Sequence, residues 1–252
     1  MLEAFVFIFG LILGSFFNVV LLRKNTGESI VKNGSRCFSC GEKLGPLEMI
    51  PVLSFLLQKG KCRHCGSRIS WQYPAVEFLT GFLALAVYFK TGVSFWWLFY
   101  FSALGALLLT ALYDLRAKII DRHFLYVFGV FALAEFLLRN PPAGGFADDL
   151  TSSFFIALFF YLMWRFSGGR WMGRGDADLA FFSALFLGWP QNLFMLFLAF
   201  WLGGILGAWL LLFGGGKFGL KTQIPFGPFL ALATFFVWYF NGLTASFYAI
   251  IF

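Results

Sequence analysis

The chain has 252 residues, of which 60% are hydrophobic and 12% charged, with 38 Phe, 9 Trp and a formal net charge of +7. No water-soluble domain of this length stays soluble with that balance, so a globular soluble enzyme is excluded and an all-α polytopic membrane protein is expected. The positive charge comes with neither a basic amphipathic helix nor an RNA-binding signature, so orientation in a lipid bilayer, and no nucleic-acid partner, accounts for it.

Apolar runs at residues 4–22, 73–89, 95–113, 124–138, 150–166, 179–189, 193–213 and 224–240 predict eight transmembrane helices. Several runs are shorter than the ~20 residues a bilayer core asks for, and partly polar residues must complete them. The first has Glu3 before it and Arg23 and Lys24 after it, the reverse of a cleavable signal peptide, so residues 1–22 are expected to stay as a helical anchor. Residues 23–72 contain no spanning run, are rich in Gly, Ser and charge, and are read as a cytoplasmic insert. The multi-helix core is expected over residues 73–252. Turns are predicted at residues 140–145, with Pro-Pro and Gly-Gly, and at the Gly-rich residues 167–175. Residues 243–252 are too short to span and are expected to pack beside the eighth helix or extend it. No repeat or low-complexity tract is read from the sequence.

The basic residues set an orientation. Nine Lys and Arg fall in residues 23–68, three at Arg116, Lys118 and Arg122, three at Arg165, Arg170 and Arg174, and two at Lys217 and Lys221. Lys90 and Arg139 stand alone in the alternate connections. The positive-inside bias therefore puts the N-terminus outside, together with the connection holding Asp148 and Asp149. Asp114 and Asp176 then share the cytoplasmic face.

Cys37-x-x-Cys40 and Cys62-x-x-Cys65 are all the cysteines of the protein, 21 residues apart within the insert. Two such pairs suit a tetrahedral four-sulfur site, and zinc suits four thiolates because it brings no redox chemistry. Free thiols or disulfides are the alternatives; the basic, inward-facing loop argues against disulfides. Four coordinated thiolates leave no open position, so the expected zinc is structural, replacing a core that so short an insert cannot build. Gly41 and Gly66 follow the second Cys of each pair, and His64 is read as a surface residue.

Asp114 and Asp176 lie where a membrane chain should not tolerate acids. An ionised carboxylate there costs about 2.5–3.5 kcal/mol on insertion scales, and such acids mark proton, ion or catalytic sites. Asp114 ends one apolar run, and Asp176 closes Gly173-Arg174-Gly175-Asp176 before the next. Two carboxylates within reach share one proton, so one acts as base on a water and the other as acid toward a peptide carbonyl. The structural alternative is that each caps a helix or pairs with Arg116 or Arg174. Asp121 and Asp178 are read as supporting charges or caps on a basic or solvated side, and Glu77 as an acid satisfied by an interhelical hydrogen bond. An ion- or proton-coupled transporter using Asp114 and Asp176 as carriers, and a non-catalytic assembly protein, stay open beside the protease reading.

These segments together resemble the type IV prepilin peptidases. The match carries Gly14-Ser15-Phe16-Phe17-Asn18-Val19-Val20, the two Cys pairs, Ile50-Pro51-Val52-Leu53-Ser54-Phe55, Tyr73-Pro74-Ala75-Val76-Glu77 and Ile224-Pro225-Phe226-Gly227-Pro228-Phe229. The resemblance implies that Asp114 and Asp176 are a catalytic pair that cuts the basic leader from a prepilin or type II secretion pseudopilin. The cut falls after a Gly, at the cytoplasmic face of the bacterial inner membrane. It also implies N-methylation of the new N-terminus with S-adenosylmethionine, associated with the cysteine-containing N-terminal region. The chain departs from the family pattern at Ile120, where Pro is usual, at Asp178, where Lys is usual, and at Gln72, Met49 and Phe38. These departures bear on substrate choice and methylation more than on proteolysis.

Overall fold

Hydrocarbon offers no water to backbone N–H and C=O groups, so a chain this apolar must satisfy them within each segment. The computed structural model accordingly consists of helices and their connections, and it describes residues 1–32, 34–139, 145–213 and 224–241. The helices are α1 (Leu2–Arg23), α2 (Leu53–Leu57), α3 (Gln72–Thr91), α4 (Phe95–Ala117), α5 (Arg122–Leu138), α6 (Gly145–Ser167), α7 (Arg174–Leu187), α8 (Gln191–Phe213) and α9 (Gly227–Tyr239), with a 3₁₀ turn at Pro46–Met49. Among the described residues there is no strand, only two isolated β-bridges in the insert. Four helices, α1, α4, α6 and α8, are long and apolar enough to cross a membrane.

Six of the eight predicted runs fall inside helices; the other two overshoot. α7 stops at Leu187 because Gly188, at φ 74°, leaves helical space, and the cis Trp189–Pro190 peptide follows. α9 starts at Gly227, after Pro225, with Pro228 in its first turn, where the missing N–H costs nothing. Asp148 and Asp149, expected in a connection, instead lie in the first turns of α6, which begins five residues before its apolar run. Most of the predicted turn at residues 140–145, together with Lys217, Lys221 and residues 243–252, lies outside the described residues.

The chain divides into two units, residues 1–101 and residues 102–252, with α4 beginning in one and ending in the other. In the first unit α1 packs against α3. Gly10 and Gly14 allow the approach: a Cβ at Gly14 would lie 2.6 Å from Glu77 Cα, and one at Gly10 2.7 Å from Gly81 Cα. Small residues at this four-residue spacing let helices pack closely where lipid provides no hydrophobic drive. The Asn18 amide donates to the Tyr73 carbonyl at 3.0 Å, and the Trp97 indole N–H donates to the Ala84 carbonyl at 3.1 Å. Buried Glu77 has the expected interhelical partner, the Ser15 hydroxyl of α1, and its carboxylate also accepts the backbone N–H of Val52 in the insert at 2.7 Å.

In the second unit α7 is the central element, packed against α5, α6, α8 and α9. Its small residues Ala180 and Ala184 are fully buried with Leu179, which explains how 14 residues can serve as the unit's core. Arg139, just past α5, closes the far end of α7. Its guanidinium donates to the Leu185 carbonyl at 3.4 Å and to the Phe186 carbonyl, and to Asp149 of α6 at 3.0 Å. Asp149 in turn accepts the Trp189 N–H at 2.6 Å. A cation at a helix C-terminus meets the orphan carbonyls and the negative end of the dipole.

Candidate functional site

Asp114 lies in the last turn of α4, and its Oδ2 accepts the backbone N–H of Gly227, the first residue of α9, at 3.1 Å. This amide has no partner within its own helix, so a carboxylate there meets both a free donor and the positive end of a dipole. Glycine leaves the carboxylate in place, because a Cβ on residue 227 would lie 2.6 Å from the Asp114 oxygen and push it aside. Asp176 is the third residue of α7, and its Oδ2 accepts the N-cap Gly173 N–H at 2.8 Å, the acid's half of a capping box whose other half glycine has no side chain to supply. Gly175 is bare for a similar reason: a Cβ there would lie 2.9 Å from Ile120 Cβ.

Both acids are buried, and the two carboxyl groups lie close enough to interact electrostatically. Exposed Arg116 and Arg174 pair with neither of them among the described residues. Helix capping, the structural alternative, is present at both acids, but it engages one oxygen of each. No described residue hydrogen-bonds to either Oδ1. Two half-engaged carboxyls whose charges interact each keep an oxygen that can exchange a proton with a third group.

The surrounding acids have other uses. Asp121 is buried and caps α5, accepting from the His123 and Phe124 amides at 2.9 and 3.4 Å, so it is a cap but not a solvated one. Asp178 is exposed on α7. Sequence reasoning gave Gly227 no role and did not foresee the Arg139–Asp149 pair. The glycine-proline start of α9 was the available signal for the first, and the lone basic residue in the connection after α5 for the second.

The insert brings Cys37, Cys40, Cys62 and Cys65 together with all four sulfurs within 4.8 Å of one another, and His64 stays outside the cluster. Cys37 and Cys65 Sγ are 3.9 Å apart, close to the about 3.8 Å that a tetrahedral site with metal–sulfur bonds of about 2.3 Å requires. The four thiols are free, so the residues fit a metal and no disulfide competes. The Cys40 and Ser39 amides hold the Cys37 thiol down to about 6 and the Ser67 hydroxyl and amide lower Cys65, whereas burial and the neighbouring Cys37 and Cys65 sulfurs push Cys40 up to about 11, the crowding that a bound cation would relieve. Although no repeat is legible in the overall sequence, the two knuckles are structural copies 25 positions apart. In each, the first Cys amide donates at 2.9 Å to the carbonyl five residues on, Glu42 or Ser67. The following glycine, Gly41 or Gly66, has a positive φ, and a bridge closes each loop, Arg36 with Lys43 and Lys61 with Arg68.

An all-helical chain with several helices of bilayer length is a multi-pass membrane protein. Residues 8–91 match the model of the bacterial peptidase A24 N-terminal domain, and residues 101–208 match that of the type IV leader peptidase family. A prepilin leader peptidase/N-methyltransferase of Bacillus subtilis (strain 168) is 33% identical over 250 residues, covering 96% of each chain. Proteins of the same name from Myxococcus xanthus (34% identical, 87% of this chain, 66% of the relative) and Pseudomonas aeruginosa (31%, 89% and 85%) also match. No solved structure gives a significant match. The chain belongs to the type IV leader peptidase family.

Proposed function

We propose that this protein is an aspartic endopeptidase that removes the basic leader from type IV prepilins or type II secretion pseudopilins. The same chain then N-methylates the exposed N-terminal residue with S-adenosylmethionine as methyl donor. The relatives' shared name supports both activities, and family membership gives no support to the ion- or proton-coupled transporter. The observation that carries the peptidase reading is the pair of buried carboxyls, Asp114 and Asp176, each oriented through one oxygen by a helix-start amide.

Asp114 and Asp176 are the catalytic pair, holding one proton between them. The ionised member takes a proton from a water, whose oxygen adds to the peptide carbonyl while the protonated member donates to the carbonyl oxygen. Collapse of the tetrahedral species breaks the C–N bond, a proton passes to the leaving amine, and the pair returns to its single shared proton. The Gly173 and Gly227 amides fix the two Oδ2 atoms, so the Oδ1 atoms face the water.

In this reading α1 and α3 to α9, the shorter α7 and α9 included, cross the inner membrane with the N-terminus outside and the acids at the cytoplasmic boundary. Residues 1–22 form the first crossing, residues 23–72 a cytoplasmic loop held by zinc on Cys37, Cys40, Cys62 and Cys65, and residues 73–252 the peptidase core. When bound, the zinc supplies structure rather than chemistry, since four thiolates close its shell. The substrate enters as a helix with its apolar stem in lipid and its basic leader in the cytoplasm.

The test is incubation with a prepilin and S-adenosylmethionine, followed by mass analysis of the product's N-terminus. Asp114→Asn and Asp176→Asn should each lower cleavage by about 10²–10⁴-fold, the range of acid–base catalysis, at unchanged protein level and membrane insertion. Full-rate cleavage by either variant removes the assignment and leaves the non-catalytic assembly protein. Purified, reduced protein should hold one zinc per chain and Cys62→Ser should lose it; a metal content near zero in the unaltered protein removes the zinc site.

A further inference from the structure

Residues 46–58 belong to the insert read from sequence as water-facing, yet every fully exposed side chain among them is apolar. Leu47, Leu56 and Leu57 are 67%, 61% and 65% exposed, and Met49, Ile50 and Leu53 join them on the surface. Glu48, the single charged residue of the segment, is turned inward: its side chain is 8% exposed and accepts the Gly45 amide at 2.8 Å. Charge returns only with the exposed Lys59, Lys61 and Arg63.

Much of the backbone of this segment is satisfied internally, as a site shielded from water requires. Pro46 and Pro51 carry no N–H, the Glu48 amide donates to Gly45, the Ser54 amide to Ile50, the Leu56 amide to Val52 and the Gln58 amide to Ser54. The Val52 amide is taken by the Glu77 carboxylate at 2.7 Å, although Val52 must adopt φ 61° to present it.

That last bond also sets a depth. Glu77 Cα packs against Gly14, and Gly14 lies nine residues before Arg23, the charged end of α1. Nine residues of helix rise about 13 Å. One carboxylate arm and one hydrogen bond are shorter than that, so Val52 is held level with the apolar part of α1 rather than beyond its charged end.

We infer that residues 46–58 are a bilayer-inserted anchor, seated in the membrane interface with lipid acyl chains against Leu47, Leu53, Leu56 and Leu57. Lys59, Lys61 and Arg63 then meet anionic headgroups at the rim. The inference rests on the reading that α1 and α3 cross the bilayer, and it ties the metal-holding insert to the membrane surface from which a substrate helix emerges.

The test uses the full-length protein in vesicles of phosphatidylethanolamine and phosphatidylglycerol, with a benzophenone amino acid placed in turn at Leu56, at exposed Glu42 of the first knuckle and at exposed Ile8 of α1. Irradiation should give lipid-mass adducts at Leu56 and Ile8, several-fold above the yield at Glu42. An adduct at Leu56 to a second copy of the chain or to added prepilin, or a lipid yield no higher than at Glu42, overturns the anchor. Loss of lipid adducts at Ile8 as well overturns the membrane reading beneath it. Prepilin cleavage measured on the same vesicles reports separately on the peptidase reading.

Discussion

Three aspartates of the second unit are buried to the same degree, with Asp149 4%, Asp114 5% and Asp176 6% exposed, yet they are held in opposite ways. Asp149 spends both oxygens: Oδ2 on the Arg139 guanidinium at 3.0 Å and Oδ1 on the Trp189 amide at 2.6 Å. Among the described residues Asp114 and Asp176 each spend one oxygen on a single amide, and neither pairs with a cation. Burial therefore does not separate the structural acid from the candidate catalytic ones; hydrogen-bond satisfaction does. An acid with both oxygens engaged and a cation beside it is held as the ionised form, whereas a half-engaged pair keeps oxygens that can take or give a proton.

The contrast can be broken from the structural side. Arg139→Leu leaves the Asp149 charge buried with one amide and uncaps α7, and the expected loss is about 3–5 kcal/mol of stability. Thermal unfolding in detergent measures it, and a loss under 1 kcal/mol would mean that Asp149 is not the structural acid described here. From the catalytic side, Gly227→Ala drives a methyl group into Asp114 Oδ2. Misplacing a reacting group by about 1 Å costs on the order of 10²-fold, so kcat/KM for prepilin cleavage should fall by about that much with a smaller change in unfolding temperature than Arg139→Leu produces. The smallest effect belongs to Asp178→Asn. Two residues from Asp176 but exposed, it should shift stability by no more than about 0.5 kcal/mol and leave cleavage unchanged. A cleavage loss there comparable to that of Asp176→Asn would show that the two acids differ less than their surroundings suggest.

Helix positions were largely legible because the apolar runs are a local property, and six of them lie within the helices found. The exceptions are local too, but concern backbone angles rather than hydropathy: the positive φ of Gly188 ends α7 early, and the Pro225–Pro228 stretch delays α9. The four-cysteine cluster was visible from spacing alone, since two Cys-x-x-Cys turns carry most of their geometry within six residues each. Less visible was the destination of Glu77. Its position on an apolar helix marked it for an interhelical bond, which Ser15 of α1 supplies, but nothing local announced a strained valine 25 residues upstream as a second partner.

Composition, run length and charge bias determine by themselves that this chain is a helical membrane protein, and motif spacing determines that its insert can gather four sulfurs. Such features act between residues a few positions apart, where chain geometry leaves little choice. Tertiary structure alone decides which amide meets which acid: Gly227 is 113 positions from Asp114, and Trp189 is 40 from Asp149. A bond across that separation exists only after whole helices have packed, and packing, by leaving one oxygen of Asp114 and of Asp176 without a partner among the described residues while engaging both of Asp149, distinguishes acids that the sequence writes with the same letter.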